Sequence, residues 1–261
     1  MNTNISKNTS ELWNNIWRNS NDLENHIADI YEEKNSIRWQ RIENRVLKEY
    51  GSFENLNVIE LGAGVGTYSI LMAKKGSKVT VLDYSENALA KARKLFDYYQ
   101  LSAHYVRADV LLMPDNLLNS FDISMSFGLA EHFRNEERIK AIKTHFDVLR
   151  KDGVTFISVP NKFNPPYRFY KFIAEKTGRW VVGEEYPFSR KEIRRILEEI
   201  NVGRYEFLGD SLLSSLQFIF MIPGIRKIFK SGSKIAKHMF MKRSTPLDAY
   251  FSYALVLCAI R

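Results

Sequence analysis

A chain of 261 residues, 45% hydrophobic and 26% charged, can bury a full core and is too apolar to stay disordered over most of its length. Its single cysteine, Cys258, excludes an internal disulfide framework and a cysteine-rich zinc site, and reads as an inert core thiol. The net charge of +8 brings nucleic acid or an anionic membrane into consideration as a partner, to be decided by where the charge sits.

The N-terminal MNTNISKNTS is polar and lacks the apolar core of a signal peptide. The longest uncharged run, SLLSSLQFIFMIPGI at 211–225, is too short to cross a bilayer and contains Pro223 and Gly224. A soluble, cytoplasmic protein is the expectation. SIRWQRIENRVLKEYG predicts an amphipathic helix, with Ile42, Val46, Leu47 and Tyr50 on one face and Gly51 as its stop.

From 57 to 160, short β-rich runs alternate with amphipathic helices, the pattern of a parallel sheet covered on both faces. The runs are NVIEL (57–61), KVTVLD (78–83), AHYVRAD (103–109), FDISMSF (121–127) and VTFISVP (154–160). Gly76 closes the helix after the first run, and KDG (151–153) reads as the turn into the fifth. SENALAKARKLFDYYQ opens on Ser85 as an N-cap and repeats Ala88, Leu89, Ala92, Leu95, Phe96 and Tyr99 at helical spacing. Ser189 and Glu192 have capping-box spacing ahead of a stripe of Ile193, Ile196, Leu197 and Ile200. GRYEFLGD (203–210) and YALVLCAIR (253–261) read as sixth and seventh strands. Two segments interrupt the alternation: 161–188 is rich in aromatics and proline, and 211–247 is apolar and basic. We therefore read 1–261 as a single domain with an N-terminal helical extension over 1–50 and insertions at 161–188 and 211–247.

The chemistry concentrates in VIELGAGVG (58–66), where an apolar run reaches Glu60 and then breaks into Gly62, Gly64 and Gly66. A dinucleotide loop reads G-x-G-x-x-G and holds a pyrophosphate; here the third glycine comes one residue early and Thr67 takes the sixth position. The G-K-[ST] ending of a phosphate-binding P-loop is absent, and Glu60 would repel a phosphate. A carboxylate there suits a ligand with a cationic group nearby.

ELGAGVG resembles the first motif, E/D-x-G-x-G-x-G, of the class I S-adenosylmethionine-dependent methyltransferases. The resemblance covers 57–160 closely and 189–261 more loosely. It implies an α/β fold: a doubly wound, Rossmann-like seven-stranded sheet with the last strand antiparallel, helices on both faces and an N-terminal helical cap. It also implies S-adenosyl-L-methionine as cofactor and no metal. Carried over position by position, Gly62, Ala63, Gly64 and Gly66 would let the backbone approach the methionine portion, and Glu60 would face its amino group. Asp83, 21 residues after Gly62, would take both ribose hydroxyls, with Tyr84 beside it. Asp109 would read the adenine amino group and Val110 would offer its amide. SFGLAEHF (126–133) resembles the stretch beside the sulfonium and places Phe127 and Gly128 there. Strand-end capping is the competing explanation for Asp83 and Asp109 taken singly.

Methyl transfer is an in-line displacement in which the protein chiefly aligns the acceptor, and a base is needed only where the nucleophile must lose a proton. His132 is the candidate base, against a structural histidine that orients the loop. Trp13, Trp17 and Trp39, with Tyr167, Phe169, Tyr170, Phe172 and Trp180, are candidates for an acceptor site, or else pack the cap on the core. The second insertion carries Arg226, Lys227, Lys230, Lys234, Lys237, Lys242 and Arg243 among apolar residues, with no acid between Asp210 and Asp248. That pattern reads either as a solvated face of helices over the pocket or as peripheral contact with an anionic membrane. An RNA partner is disfavoured, since the N-P-P-Y/F motif of amino-directed nucleic-acid methyltransferases is missing after the fourth strand; the NPPY at 164–167 follows the fifth. The sequence thus points to methyl transfer onto a small-molecule or lipid-like acceptor. An RNA methyltransferase, a nicotinamide dehydrogenase and a non-catalytic cofactor-binding scaffold are the competing functions.

Overall fold

The computed structural model describes residues 9–20 and 22–261, so residues 1–8 and 21 of the polar N-terminal stretch lie outside the described residues. Among the described residues one seven-stranded sheet has the order β3-β2-β1-β4-β5-β7-β6. Its strands are β1 (Asn57–Leu61), β2 (Lys78–Asp83), β3 (His104–Arg107), β4 (Phe121–Phe127), β5 (Leu149–Pro160), β6 (Arg204–Phe207) and β7 (Ala254–Ile260). The pairs among β1 to β5 are parallel, whereas β7 runs antiparallel to both β5 and β6. The expected antiparallel last strand is therefore present.

Helices α1 (Ser10–Arg18), α2 (Leu23–Lys34) and α3 (Ile37–Tyr50) precede the sheet. Helices α4 (Thr67–Ala73), α5 (Glu86–Tyr98) and α6 (Asn135–Asp147) make the crossovers, and α7 (Pro165–Lys176) and α8 (Arg190–Glu199) follow β5. Between β6 and β7 lie α9 (Gln217–Met221), α10 (Pro223–Ile228), α11 (Gly232–Phe240) and α12 (Asp248–Phe251). Alternation along each strand divides the core into two layers. Val58, Val79, Met125 and Phe156 pack with α3, α4 and α5, while Ile157, Val159 and Leu257 pack with α6 and α8. Each large apolar side chain so buried contributes about 1.5–3 kcal/mol over leaving it in water.

The caps fall where the sequence put them: Ser85 accepts from Ala88 N, and Ser189 from Glu192 N. The reciprocal half of the capping box at Ser189 differs, because Glu192 reaches across to Arg138 at 3.0 Å. The stripe of α3 is also shifted. Trp39, Ile42 and Val46 are buried, and Leu47 stands 43% exposed, because the helix turns Trp39 into the core against Phe53 and Tyr68. KDG is not a separate turn before β5. It lies within the strand as an irregularity against β4, where the pairing jumps from Phe121–Leu149 to Ile123–Val154 and Asp152 takes φ 61°. NPPY is a helix start: Asn164 caps α7 by accepting from Tyr167 N, with proline at the first positions.

Candidate active site

The carboxyl ends of β1, β2 and β4 open into a cavity of about 910 Å³, roofed by α1 and walled on one side by α2 and α3. Open α/β sheets bind ligands at this end, where strand order reverses, here between β1 and β4. After Leu61 the chain turns through Gly62, Gly64 and Gly66, at φ 60°, 56° and 72°, a left-handed region costly to a residue with a side chain. Gly62 and Gly64 lie on the cavity wall. A Cβ built on Gly62 would stand 2.6 Å from Leu129 Cδ1, and one on Gly64 2.4 Å from Trp17 Cζ2. Gly66 differs from the expectation: it is the N-cap residue of α4, its place for a Cβ faces Phe96 at 3.4 Å, and it is not in the wall. It brings α4 close to the sheet.

Why β1 ends in a carboxylate is answered inside the protein. Glu60 Oε2 accepts from both Ser69 N (2.8 Å) and Ser69 Oγ (2.6 Å), closing the first turn of α4. Burial raises its pKa to about 7 against these two bonds. The amide that a phosphate would seek at this helix start is already engaged, which disfavours a pyrophosphate ligand. Asp83, at the end of β2, accepts from Gly64 N on Oδ2 and from Ser85 N on Oδ1, each at 2.8 Å. Burial raises its pKa while these amides oppose the rise. The carboxylate is thus oriented by the glycine loop on one side and the start of α5 on the other. Each oxygen keeps further acceptor capacity. Asp109 Oδ1 accepts from Leu111 N at 2.8 Å in a local turn, and Asp109, Val110 and Tyr84 lie along the same wall.

Across the cavity, Phe127 stacks on Tyr68 with ring centroids 3.3 Å apart, and Gly128 (φ 91°) turns the chain toward the short helical turn Ala130–His132. His132 meets Trp13 edge to face at 4.8 Å. Its Nδ1 lies 2.7 Å from the carbonyl oxygen of Glu184, which can only accept, so Nδ1 carries the hydrogen and Nε2 the lone pair. Burial lowers its pKa to about 4, so the ring is neutral at ordinary pH. Tyr186 N bonds the carbonyl of Glu131 at 2.8 Å and fixes this loop against the His132 turn.

Sequence reasoning missed the wall formed by α2 and α3. There Arg38 pairs with Glu33 (3.3 Å) and Asp210 (3.2 Å), and the Tyr68 hydroxyl bonds Glu33. Burial alone would raise the pKa of Glu33, and Arg38 with Tyr68 and Ser36 more than reverses it. Of the aromatic candidates, Trp13 and Trp17 line the cavity, whereas Trp39 is in the core and Tyr167 is buried away from the wall. Phe169 and Phe172 point to solvent, and neither Tyr170 nor Trp180 reaches the wall. The first insertion contributes Glu184 and Tyr186 instead, and the second only Lys237. Among the described residues no group of three or more His, Cys, Asp or Glu could hold a metal ion.

The donor set fits a zwitterionic, adenosine-bearing ligand: an oriented carboxylate at the end of β2, a second at the end of β3, an open glycine backbone and apolar walls. Known proteins agree. A family model described as a methyltransferase domain matches residues 58–153. The chain is similar to the ubiquinone biosynthesis O-methyltransferase of Rickettsia typhi, 23% identical over 184 residues, 69% of this chain and 73% of that one. The protein of the same name from Coxiella burnetii is 26% identical over 155 residues, 59% of this chain and 58% of that one. Among solved structures, magnesium protoporphyrin IX methyltransferase from Synechocystis PCC 6803 with bound SAH is similar at a TM-score of 0.56 and 17% identity, covering 96% of this chain and 93% of that one. The YcgJ protein of Bacillus subtilis is similar at 0.57 and 14%, covering 85% and 98%. At such identities the structural likeness speaks for the fold.

Proposed function

We propose that the chain carries a class I S-adenosylmethionine-dependent methyltransferase domain and methylates a small-molecule or lipid-like acceptor in the cavity above β1, β2 and β4. The observation that carries this reading is the bond between Gly64 N and Asp83 Oδ2, which joins the glycine loop to the β2 carboxylate on one cavity wall. In this reading Asp83, with Tyr84, holds the ribose; Asp109 and Val110 read the adenine; Glu60, Gly62, Ala63 and Gly64 flank the methionine portion; and Phe127 and Gly128 border the methyl group. Gly66 supports the loop from behind. The bound cofactor supplies an electrophilic methyl group. The protein's part is to align the acceptor and exclude water, which the roof formed by Trp13 and Trp17 serves.

The volume lies near the upper end of single-ligand pockets, leaving room for an acceptor beside the cofactor. The relatives named O-methyltransferases favour a hydroxyl acceptor, which must lose its proton. His132, a neutral ring on the cavity wall, is the group we assign to take it. We read the N-terminal helices and both insertions as parts of one domain that build the acceptor side. A cytoplasmic location with peripheral contact to an anionic membrane completes the reading. The test is incubation of the protein with methyl-labelled S-adenosylmethionine and fractionated metabolite and lipid extracts. Label should pass to a low-molecular-weight or lipid product; transfer to RNA alone, or to nothing, overturns it.

A further inference from the structure

We propose that α10, α11 and the turn between them form a docking face for an anionic lipid bilayer. This rests on the methyltransferase reading with a lipid-like acceptor. Helix α11 is divided lengthwise. Lys234, Ile235, His238 and Met239, then Lys242 just past the helix end, follow one another at spacings of one, three, one and three along the chain, and all are exposed. On the opposite side Ala236 is buried and Lys237 pairs with Glu32 of α2 at 2.9 Å. Just before α11, Ile228 is 76% and Phe229 54% exposed, and on α11 Ile235 is 54% and Met239 52% exposed. Single exposed apolar residues are ordinary, but four large ones within twelve residues of chain are a patch.

The charge around the patch selects its partner. Arg226, Lys227, Lys230, Lys234, Lys242 and Arg243 are all exposed, and among the described residues none has a carboxylate within ion-pair distance. No acid lies between Asp210 and Asp248 to offset them. Apolar side chains that project beside lysines match the acyl boundary and the anionic headgroups of a bilayer. A single-stranded RNA site would instead present successive aromatic platforms, and here Phe229 is the one aromatic ring among the four exposed apolar side chains of the patch. The inner side of α11 explains what docking would serve. Lys237 lines the cavity together with Asp29 and Glu33 of α2, so the seam between α2 and α11 joins the bilayer-facing helix to the reaction chamber.

The test uses the buried Cys258, whose thiol is pushed up to about 12 by burial and so stays unreactive beside an introduced surface thiol. The Ile235→Cys protein is labelled with an environment-sensitive fluorophore and mixed with vesicles of phosphatidylglycerol and phosphatidylcholine, or of phosphatidylcholine alone. The anionic vesicles should shift the emission to the blue at low salt and not at high salt, and the neutral ones should leave it unchanged. The same label on Ser102→Cys, exposed ahead of β3 at the opposite edge of the sheet, should stay silent. Replacing Lys227, Lys230 and Lys234 by Gln should lower vesicle partitioning on the order of 100-fold, at about one kcal/mol per Lys near the surface. Absence of binding to anionic vesicles at low salt overturns the docking face. So does binding that leaves the label at 235 silent, or a preference for RNA over anionic vesicles. S-adenosylmethionine titrations of the same proteins separate the two proposals: intact cofactor binding without vesicle binding removes only the docking face.

Discussion

The indole of Trp17 stands where a side chain at position 64 would stand: a Cβ on Gly64 would lie 2.4 Å from Trp17 Cζ2 and 2.6 Å from Cη2. The glycine is therefore required twice, by its φ of 56° and by the roof helix laid over it. Valine at 64 would add about 1–2 kcal/mol of left-handed backbone strain and push Trp17 off the loop. We expect Gly64→Val to abolish cofactor binding in titration calorimetry while far-UV circular dichroism shows an intact sheet. Full affinity in a folded Gly64→Val protein would mean that the loop does not border the ligand.

Trp39 and Leu47 test the packing of α3. Trp39 is 1% exposed and Leu47 43% exposed. Trp39→Ala should cost about 3–5 kcal/mol in denaturant unfolding, as large aromatic truncations in cores do. Leu47→Ala should stay within about 0.5 kcal/mol, as at other surface positions. Equal costs would contradict the observed face.

That pair also shows where the sequence stopped being legible. Both residues are apolar and lie on adjacent stripes of one helix, so periodicity alone could not choose between them; the packing of Trp39 on Phe53 and Tyr68 did. The strands were legible because each is a β-branched or apolar run bounded by polar residues: β1, β2 and β4 have the ends read from sequence. KDG has turn composition, yet the same residues serve an irregularity within a strand. Least legible was the Glu33–Arg38–Asp210 group, which joins α2, α3 and the segment after β6. Glu33 and Arg38 are near in the chain, but Asp210 is far from both, and a partner that distant leaves no local signature.

Glu60 makes stability depend on pH. Its pKa in the folded protein is raised to about 7 from 4.5, so its contribution is fully present below 4.5 and is lost as pH rises through 7. The ligand-free protein should lose roughly 3 kcal/mol through this group across that window, at 1.36 kcal/mol per unit. Glu60→Gln keeps an acceptor for Ser69 and should flatten that part of the profile in thermal unfolding. A Glu60→Gln profile parallel to wild type would contradict the buried, proton-accepting role.

His132 carries the opposite sign. Its pKa is lowered to about 4 from 6.5, so the stability it contributes is present above 6.5 and is lost as pH falls through 4. As the base it should give kcat/KM an acid limb near 4 and none near 6.5, measured with the acceptor found by label transfer. His132→Asn should lower kcat by roughly 10²–10⁴ with cofactor affinity unchanged. An unchanged kcat would leave the ring a structural part, holding Glu184 and packing on Trp13.

The most direct measurement is titration calorimetry with S-adenosylmethionine and with NAD, on wild type and on Asp83→Asn. The wild type should bind S-adenosylmethionine and not NAD. Asp83→Asn keeps one side-chain oxygen for the amides of Gly64 and Ser85 but loses the charge, and should weaken binding by about 1.5–3 kcal/mol. Wild type that binds NAD in preference, or Asp83→Asn with undiminished affinity for S-adenosylmethionine, would contradict the assignment of this cavity to the methyl donor.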